Sequence, residues 1–247
     1  MSKPTFMKFP LMIASLFGLP GVFFATAMML QGAPEHQFPA NSKELLRLAV
    51  WIPPGEHQLG SREPGCYSNR KVNLSGFYIW PVETPEAWWV RFREEKVSRS
   101  GKVMPAERVS YHDAMAFCSW MSEQLGVRVR LPTVDEWEAA ARAGTPGVAY
   151  HWGWGSPVGK AVFATNGPKP IKSGKTNPIG LWNMCGNMAE WCLSDDEVDV
   201  APVMGGSWAE KDFRYLRISH RMALPKDYRD RDVGFRIVVE AGNVPGG

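Results

Sequence analysis

Arg130-Leu131-Pro132-Thr133-Val134-Asp135-Glu136-Trp137-Glu138-Ala139-Ala140-Ala141-Arg142-Ala143-Gly144 is the stretch from which the fold can be read. Thr133 with Glu136 three positions on forms a capping box, in which each side chain satisfies a backbone N–H left free at a helix start. The predicted helix passes through Trp137, Ala140 and Ala141 and stops at Gly144. Just before it, Val127, Val129 and Leu131 alternate with Arg128 and Arg130, the period-two pattern of a half-buried strand. Further back, Ser110 and Asp113 repeat the capping signal. Ala114, Phe117, Cys118, Met121 and Leu125 follow at helical spacing, and Gly126 supplies the stop. Helix, strand and helix thus follow closely, and Cys118 on the apolar face reads as a buried thiol.

Outside this segment the regular signals are short. Residues 49–52 and 77–80 are β-prone runs separated by Pro53, Pro54, Gly55 and Gly65. Residues 86–95, rich in Trp and Arg, read as a short helix with Pro85 at its first turn. Phe235, Ile237 and Val239, alternating with Arg236 and Val238, read as the last strand. From 145 to 179 periodicity vanishes among Pro146, Gly147, His151-Trp152-Gly153-Trp154-Gly155, Gly167-Pro168 and Pro170. An irregular segment of that length is functional or disordered, and its tryptophans argue for order.

The N-terminus has a different character. Lys3 and Lys8 precede residues 9–30, which carry no charge. As a helix this stretch would reach roughly 33 Å, enough for a hydrocarbon core of about 30 Å. A cleaved signal peptide explains it equally well, through the basic start, the breaker pair Pro20-Gly21 and the small residues Ala25-Thr26-Ala27. Both readings stand. In each, the positive-inside bias leaves the rest of the chain on the extracytoplasmic, periplasmic side, anchored or released. Residues 31–45, with Gly32, Pro34 and Pro39, read as a linker, and the domain is expected over 46–247.

The 28 basic and 25 acidic residues are interspersed, and the net charge of +3 falls to +1 without Lys3 and Lys8, which excludes a nucleic-acid footprint. Cys66, Cys118, Cys185 and Cys192 contain no CxxC and allow up to two disulfides in an oxidising compartment. The five histidines show no HxH or HExxH spacing.

An ordered series of motifs spans residues 48–240. It begins with Trp51-Ile52-Pro53-Pro54-Gly55-Glu56 and Val109-Ser110-Tyr111-His112-Asp113-Ala114, and continues through the opening stretch and Trp152-Gly153. Gly180-Leu181-Trp182-Asn183-Met184, Gly186-Asn187 with Glu190-Trp191, Gly205-Gly206-Ser207-Trp208 and Gly234-Phe235-Arg236 complete it. In order and spacing these resemble the formylglycine-generating-enzyme, or sulfatase-modifying-factor, family. The resemblance implies an α+β fold of C-type-lectin-like kind, with two helices, small twisted sheets and much irregular chain.

It also implies a site. Formylglycine generators similar to this chain oxidise a substrate cysteine with two cysteines that bind copper(I) a few residues after the Gly-Gly-Ser turn. Here residues 205–215 contain no cysteine, so no copper is expected. The relatives' tryptophan before Glu-Trp is replaced by Ala189. The resemblance further implies calcium held by Asn183, Gly186, Met188 and Glu190; the alternative is that Asn183 and Glu190 only hydrogen-bond the turn. Ser207, Trp208, Glu210, Asp212, Arg217 and Arg221 are the candidates for a polar cleft, with Arg217 and Arg221 also readable as paired structural charges. Two functions follow: an exported accessory or binding protein serving a protein, peptide or membrane-complex partner, or an oxidoreductase or maturation enzyme working without copper and cysteine.

Overall fold

Both capping boxes form as their residues dictate. In the computed structural model, which describes residues 37–95, 102–194 and 198–240, Ser110 Oγ accepts from the Asp113 N–H at 3.1 Å and Asp113 accepts from the Ser110 N–H at 3.0 Å. Thr133 and Glu136 make the equivalent pair at 3.1 and 2.8 Å. In chain order the elements are α1 (Ser42–Leu48), β1 (Val50–Ile52), β2 (Gly55–Leu59), β3 (Arg70–Leu74), β4 (Phe77–Ile79), α2 (Glu86–Phe92), α3 (Tyr111–Leu125), β5 (Val129–Arg130) and α4 (Val134–Arg142). They continue with β6 (Ala189–Trp191), β7 (Val200–Met204), a 3-10 turn (Phe213–Leu216), β8 (Met222–Pro225), β9 (Val233–Gly234) and β10 (Val238–Glu240).

The fold is mixed helix and sheet, with four α-helices among the described residues: the three read from the residues and one more, against the two that the resemblance implied. The addition at the start is α1, which falls on the expected linker. Asn41 caps it by accepting from Glu44 N–H at 3.0 Å, and Leu45 is fully buried. Phe38 packs on Trp88 and Trp120 at 5.6 and 5.1 Å. The domain therefore begins before residue 46. Seven residues show too little periodicity to be read, and packing rather than propensity stabilises so short a helix.

The sheet ordered β1-β4-β10-β5 is antiparallel throughout. Phe77, Ile79 and Val238 on one face share a core with Trp137 and Ala140 of α4. Tyr78 and Val239 on the other face belong to the core of Trp89 and Phe117 from α2 and α3. The last strand starts later than its alternation suggests, at Val238 rather than Phe235, and residues 235 to 239, Arg236 included, are all buried. Alternation there separates two buried faces rather than core from solvent.

The hairpin β2–β3 stands as a second sheet. The third, β8-β7-β6-β9, pairs β6 with β9 in parallel. Residues 145–179 contain no named helix or strand, yet side chains tie them down: Asn177 Nδ2 donates to Ala140 O on α4 at 2.8 Å. All four cysteines are free, with Cys118, Cys185 and Cys192 buried, so the allowed disulfides are not formed. Among the described residues no helix is long and apolar enough to cross a membrane. The hydrophobic stretch 9–30 lies outside them.

Candidate functional site

The turn Gly205-Gly206-Ser207 follows β7 with both glycines at positive φ, +88° and +64°. A Cβ on Gly206 would stand 2.7 Å from the Tyr215 carbonyl oxygen, and one on Gly205 3.1 Å from the Trp137 ring. Only glycine lets the chain turn this close to α4 and the 3-10 segment. Ser207 is thereby buried, with Oγ 3.3 Å from Asp232 Oδ2 and accepting from Ala209 N–H at 3.3 Å. Trp208 is pinned by its backbone N–H to Asn187 O at 2.9 Å and by its indole N–H to Arg231 O at 3.1 Å.

Glu210 is half-buried, and burial raises its proton affinity, with the charges of Asp232 and Asp212 adding to the effect. Burial likewise raises Asp232, helped by Asp230 and opposed by the Ser207 hydrogen bond. Asp232 Oδ1 is buried with no hydrogen-bond partner among the described residues. Ser207, Glu210 and Asp232 therefore form one acidic cluster beside Trp208. The remaining candidates point elsewhere. Asp212 caps the 3-10 turn and is lowered to about 2 by hydrogen bonding to Arg214. Arg217 pairs with Glu63 at 2.9 Å, and the Arg221 guanidinium lies 5.8 Å from the centre of the Tyr67 ring. Asp232 was not picked out in the sequence, because nothing in Asp230-Arg231-Asp232 marks which charge turns inward.

The residues expected around calcium surround a buried polar centre. Glu190 and Arg236 are both fully buried and form a two-armed pair, each arm 2.6 Å. Trp137 Nε1 donates to Glu190 Oε2 at 2.6 Å. Asn183 and Asn187 donate from Nδ2 to the two oxygens of Glu83 at 3.1 and 2.8 Å. Burial, with Glu190 nearby, pushes Glu83 up to about 8. The N–H of Gly186 serves Gly205 O at 2.8 Å, and Met188 is wholly buried. The calcium set as mapped does not fit this arrangement. Glu190 is already neutralised by a fixed guanidinium, and a divalent ion there would face that cation at close range. Glu83, the residue that organises Asn183 and Asn187, was also missed in the sequence.

Chemically, the cluster offers oxygen acceptors of raised proton affinity and one hydroxyl. It has no thiolate, and among the described residues no group of three or more His, Cys, Asp or Glu is arranged to hold a metal ion.

The sulfatase-modifying factor enzyme 1-like domain model matches residues 34–241. Among curated relatives, the inactive Cα-formylglycine-generating enzyme 2 of Bos taurus is 32% identical over 203 residues, covering 72% of this chain and 64% of the relative. This chain thus spans under two thirds of that protein's length. The formylglycine-generating enzyme of Streptomyces coelicolor is 34% identical over 130 residues, 46% of this chain and 40% of its own. Chaperone protein LppX of Paenibacillus barcinonensis is 26% identical over 235 residues, 70% of this chain and 83% of its own. Among solved structures, Treponema denticola variable protein 1 superposes with a TM-score of 0.69 at 22% identity, over 77% of this chain and 94% of that one, a likeness of fold. The ordered motifs, the mixed architecture around the Gly-Gly-Ser turn and the match over most of the length agree: the chain belongs to the sulfatase-modifying factor enzyme 1-like domain family.

Proposed function

We propose that this chain is a non-catalytic accessory domain, exported to the extracytoplasmic side, that holds a protein or peptide partner at the acidic cluster beside the Gly-Gly-Ser turn. The observation that carries the reading is Glu210 set against Asp232 in the segment where the resemblance places the copper-binding cysteines. Carboxylates are hard donors and do not select copper(I). A carboxylate whose proton affinity is raised by burial and by the charges of Asp232 and Asp212 is relieved by a cation, which suits a lysine or arginine side chain of a partner. A relative named inactive and another named a chaperone support a role in assembly or maturation. Tethering to a membrane complex through residues 9–30 is part of the same proposal. The second reading, an enzyme using other chemistry, is favoured by the raised proton affinity of Glu210 and Asp232, as a general base requires.

Tagged full-length protein recovered from its native membranes should bring a stoichiometric partner. Glu210→Lys should release that partner without changing thermal unfolding. Copper-treated protein should leave a cysteine peptide unmodified by mass spectrometry. Formylglycine in that peptide, or a partner yield indifferent to both Glu210→Lys and Asp232→Asn, overturns the reading. Mass spectrometry of the mature N-terminus tests the tether, which is excluded by loss of the first 27 residues.

A further inference from the structure

Charge is interspersed along most of this chain, with one exception. From Ala143 to Ala189 there is no Asp or Glu, and the only charged residues are Lys160, Lys169, Lys172 and Lys175. The fold brings two of these lysines together, because the Lys175 N–H donates to Lys160 O at 2.8 Å. The Lys160 ammonium lies 5.8 Å from the centre of the Trp152 ring, and Trp152 and Lys175 line one recess of about 530 Å³. Arg142, also at that recess, is engaged by Glu138 at 2.6 Å. Lys160 and Lys175 have no carboxylate partner among the described residues, so the uncompensated charge of this face is positive.

The same face is also apolar. Trp154 is 63% exposed and Val158 74%, the two most exposed large hydrophobic side chains among the described residues. Both lie in the short turn that runs from Trp152 to Lys160, and a Cβ on Gly155 would stand 4.0 Å from the Lys160 ammonium. The turn is ordered from within. Val158 N–H donates to Ser156 Oγ at 3.2 Å and Lys160 N–H to Pro157 O at 2.9 Å. Its base is fixed by Trp152, which stacks on Tyr150 at 4.7 Å with 6° between planes. Single exposed apolar residues are ordinary. Two of them on an ordered turn, flanked by unpaired cations, form a surface that a partner can cover at little entropic cost.

Charge and shape name the occupant. Unpaired lysines select negative charge and repel a basic partner. Tryptophan is among the side chains that contribute most when an interface covers them. The recess between Trp152 and Lys175 gives a side chain somewhere to enter, which a lipid surface does not use. We propose that this face docks an acidic peptide segment of a partner protein. Its carboxylates meet Lys160 and Lys175, and an aliphatic or aromatic side chain between them covers Trp154 and Val158. The surface is separate from the Glu210 cluster and takes the opposite charge.

The test is fluorescence anisotropy of a dye-labelled synthetic peptide, Asp-Glu-Leu-Asp-Glu-Phe-Glu, titrated with full-length protein in phosphatidylcholine nanodiscs. Saturable binding with a dissociation constant of about 100 μM or tighter is expected, weakening as salt is added. A peptide with Asn and Gln in place of the acids, and one with Ser in place of Leu and Phe, should each bind about tenfold more weakly. The double variant Lys160→Gln with Lys175→Gln, and separately Trp154→Ser, should weaken the acidic peptide by a similar factor with the thermal midpoint unchanged. No saturable binding, equal binding of the uncharged peptide, or an affinity indifferent to these substitutions overturns the proposal. So does an unbound peptide together with capture by phosphatidylglycerol vesicles, or with self-association, that Trp154→Ser abolishes; the face then belongs to a lipid surface or to a second copy of this chain. Glu210→Lys should leave the peptide titration unchanged, so this proposal and the reading of the Glu210 cluster fail separately.

Discussion

His151 shows how one side chain couples burial to pH. Burial is the largest cause of its lowered proton affinity, and the hydrogen bond to Lys175 O offsets it only in part. The group has an ordinary value of 6.5 in the unfolded chain and about 4 in the fold. Between those values the unfolded chain binds the extra proton, so the contribution of His151 to stability falls as pH drops from 6.5 towards 4 and is constant above. At about 1.4 kcal/mol per pH unit the loss amounts to about 3 kcal/mol. Urea unfolding at a series of pH values should show wild type and His151→Asn differing by this slope between pH 4 and 6.5, because every other titrating group, Glu83 included, is common to both. Equal slopes in the two proteins would show that the imidazole is hydrated in the fold.

Elements here are short, and their ends carry much of their stability. In α4 both arms of the Thr133–Glu136 box are made, and Glu136 also receives two arms of Arg130 at 2.6 Å each. One carboxylate therefore closes the helix start and ties it to β5. Thr133→Ala should cost about 1 kcal/mol of unfolding free energy, and Thr133→Ser should restore most of it. A thermal-shift series across the three proteins checks this, with an unchanged midpoint for Thr133→Ala as the failing outcome. The helix end differs from the sequence expectation by one residue: Ala143, at φ +49°, closes α4 before Gly144 at +77°. Backbone hydrogen bonds from Ala143 to Ala139 and Ala140 hold the alanine in that conformation.

At the scale of the molecule, the Arg236–Glu190 pair joins the two four-stranded sheets and α4. Arg236 lies between β9 and β10, Glu190 is on β6, and Trp137 reaches Glu190 from α4. Arg236 also donates to the carbonyls of Trp80 and Trp182. Arg236→Met should cost about 3–5 kcal/mol, because it strands a buried carboxylate. Adding Glu190→Leu should recover part of that loss, with Trp137 Nε1 left unpaired as the residue of the cost. Denaturant midpoints of the single and double variants decide it, and a double variant no better than the single would mean the pair is not the connection.

The sequence by itself determined what depends on neighbours along the chain. Both capping boxes, the stop at Gly126, the apolar face of α3 with its buried Cys118, and the irregular run after α4 were legible because capping and helical periodicity span only three or four residues. The family was legible because its turns demand particular residues in a fixed order. Only tertiary structure decided which charges turn inward. Glu83, Asp232 and Arg236 look like surface residues in the sequence, and each gains its character from partners about 25 to 156 residues away. The sheet carrying β10 is covered on both faces, which no strand can show from its own alternation, and α1 is stabilised by the core it enters. The candidate cleft divided for the same reason: Ser207, Trp208 and Glu210 meet Asp232, while Arg217 and Arg221 turn to Glu63 and Tyr67. Burial and long-range electrostatics act across space rather than along the chain, so the site's chemistry was settled only when the chain closed on itself.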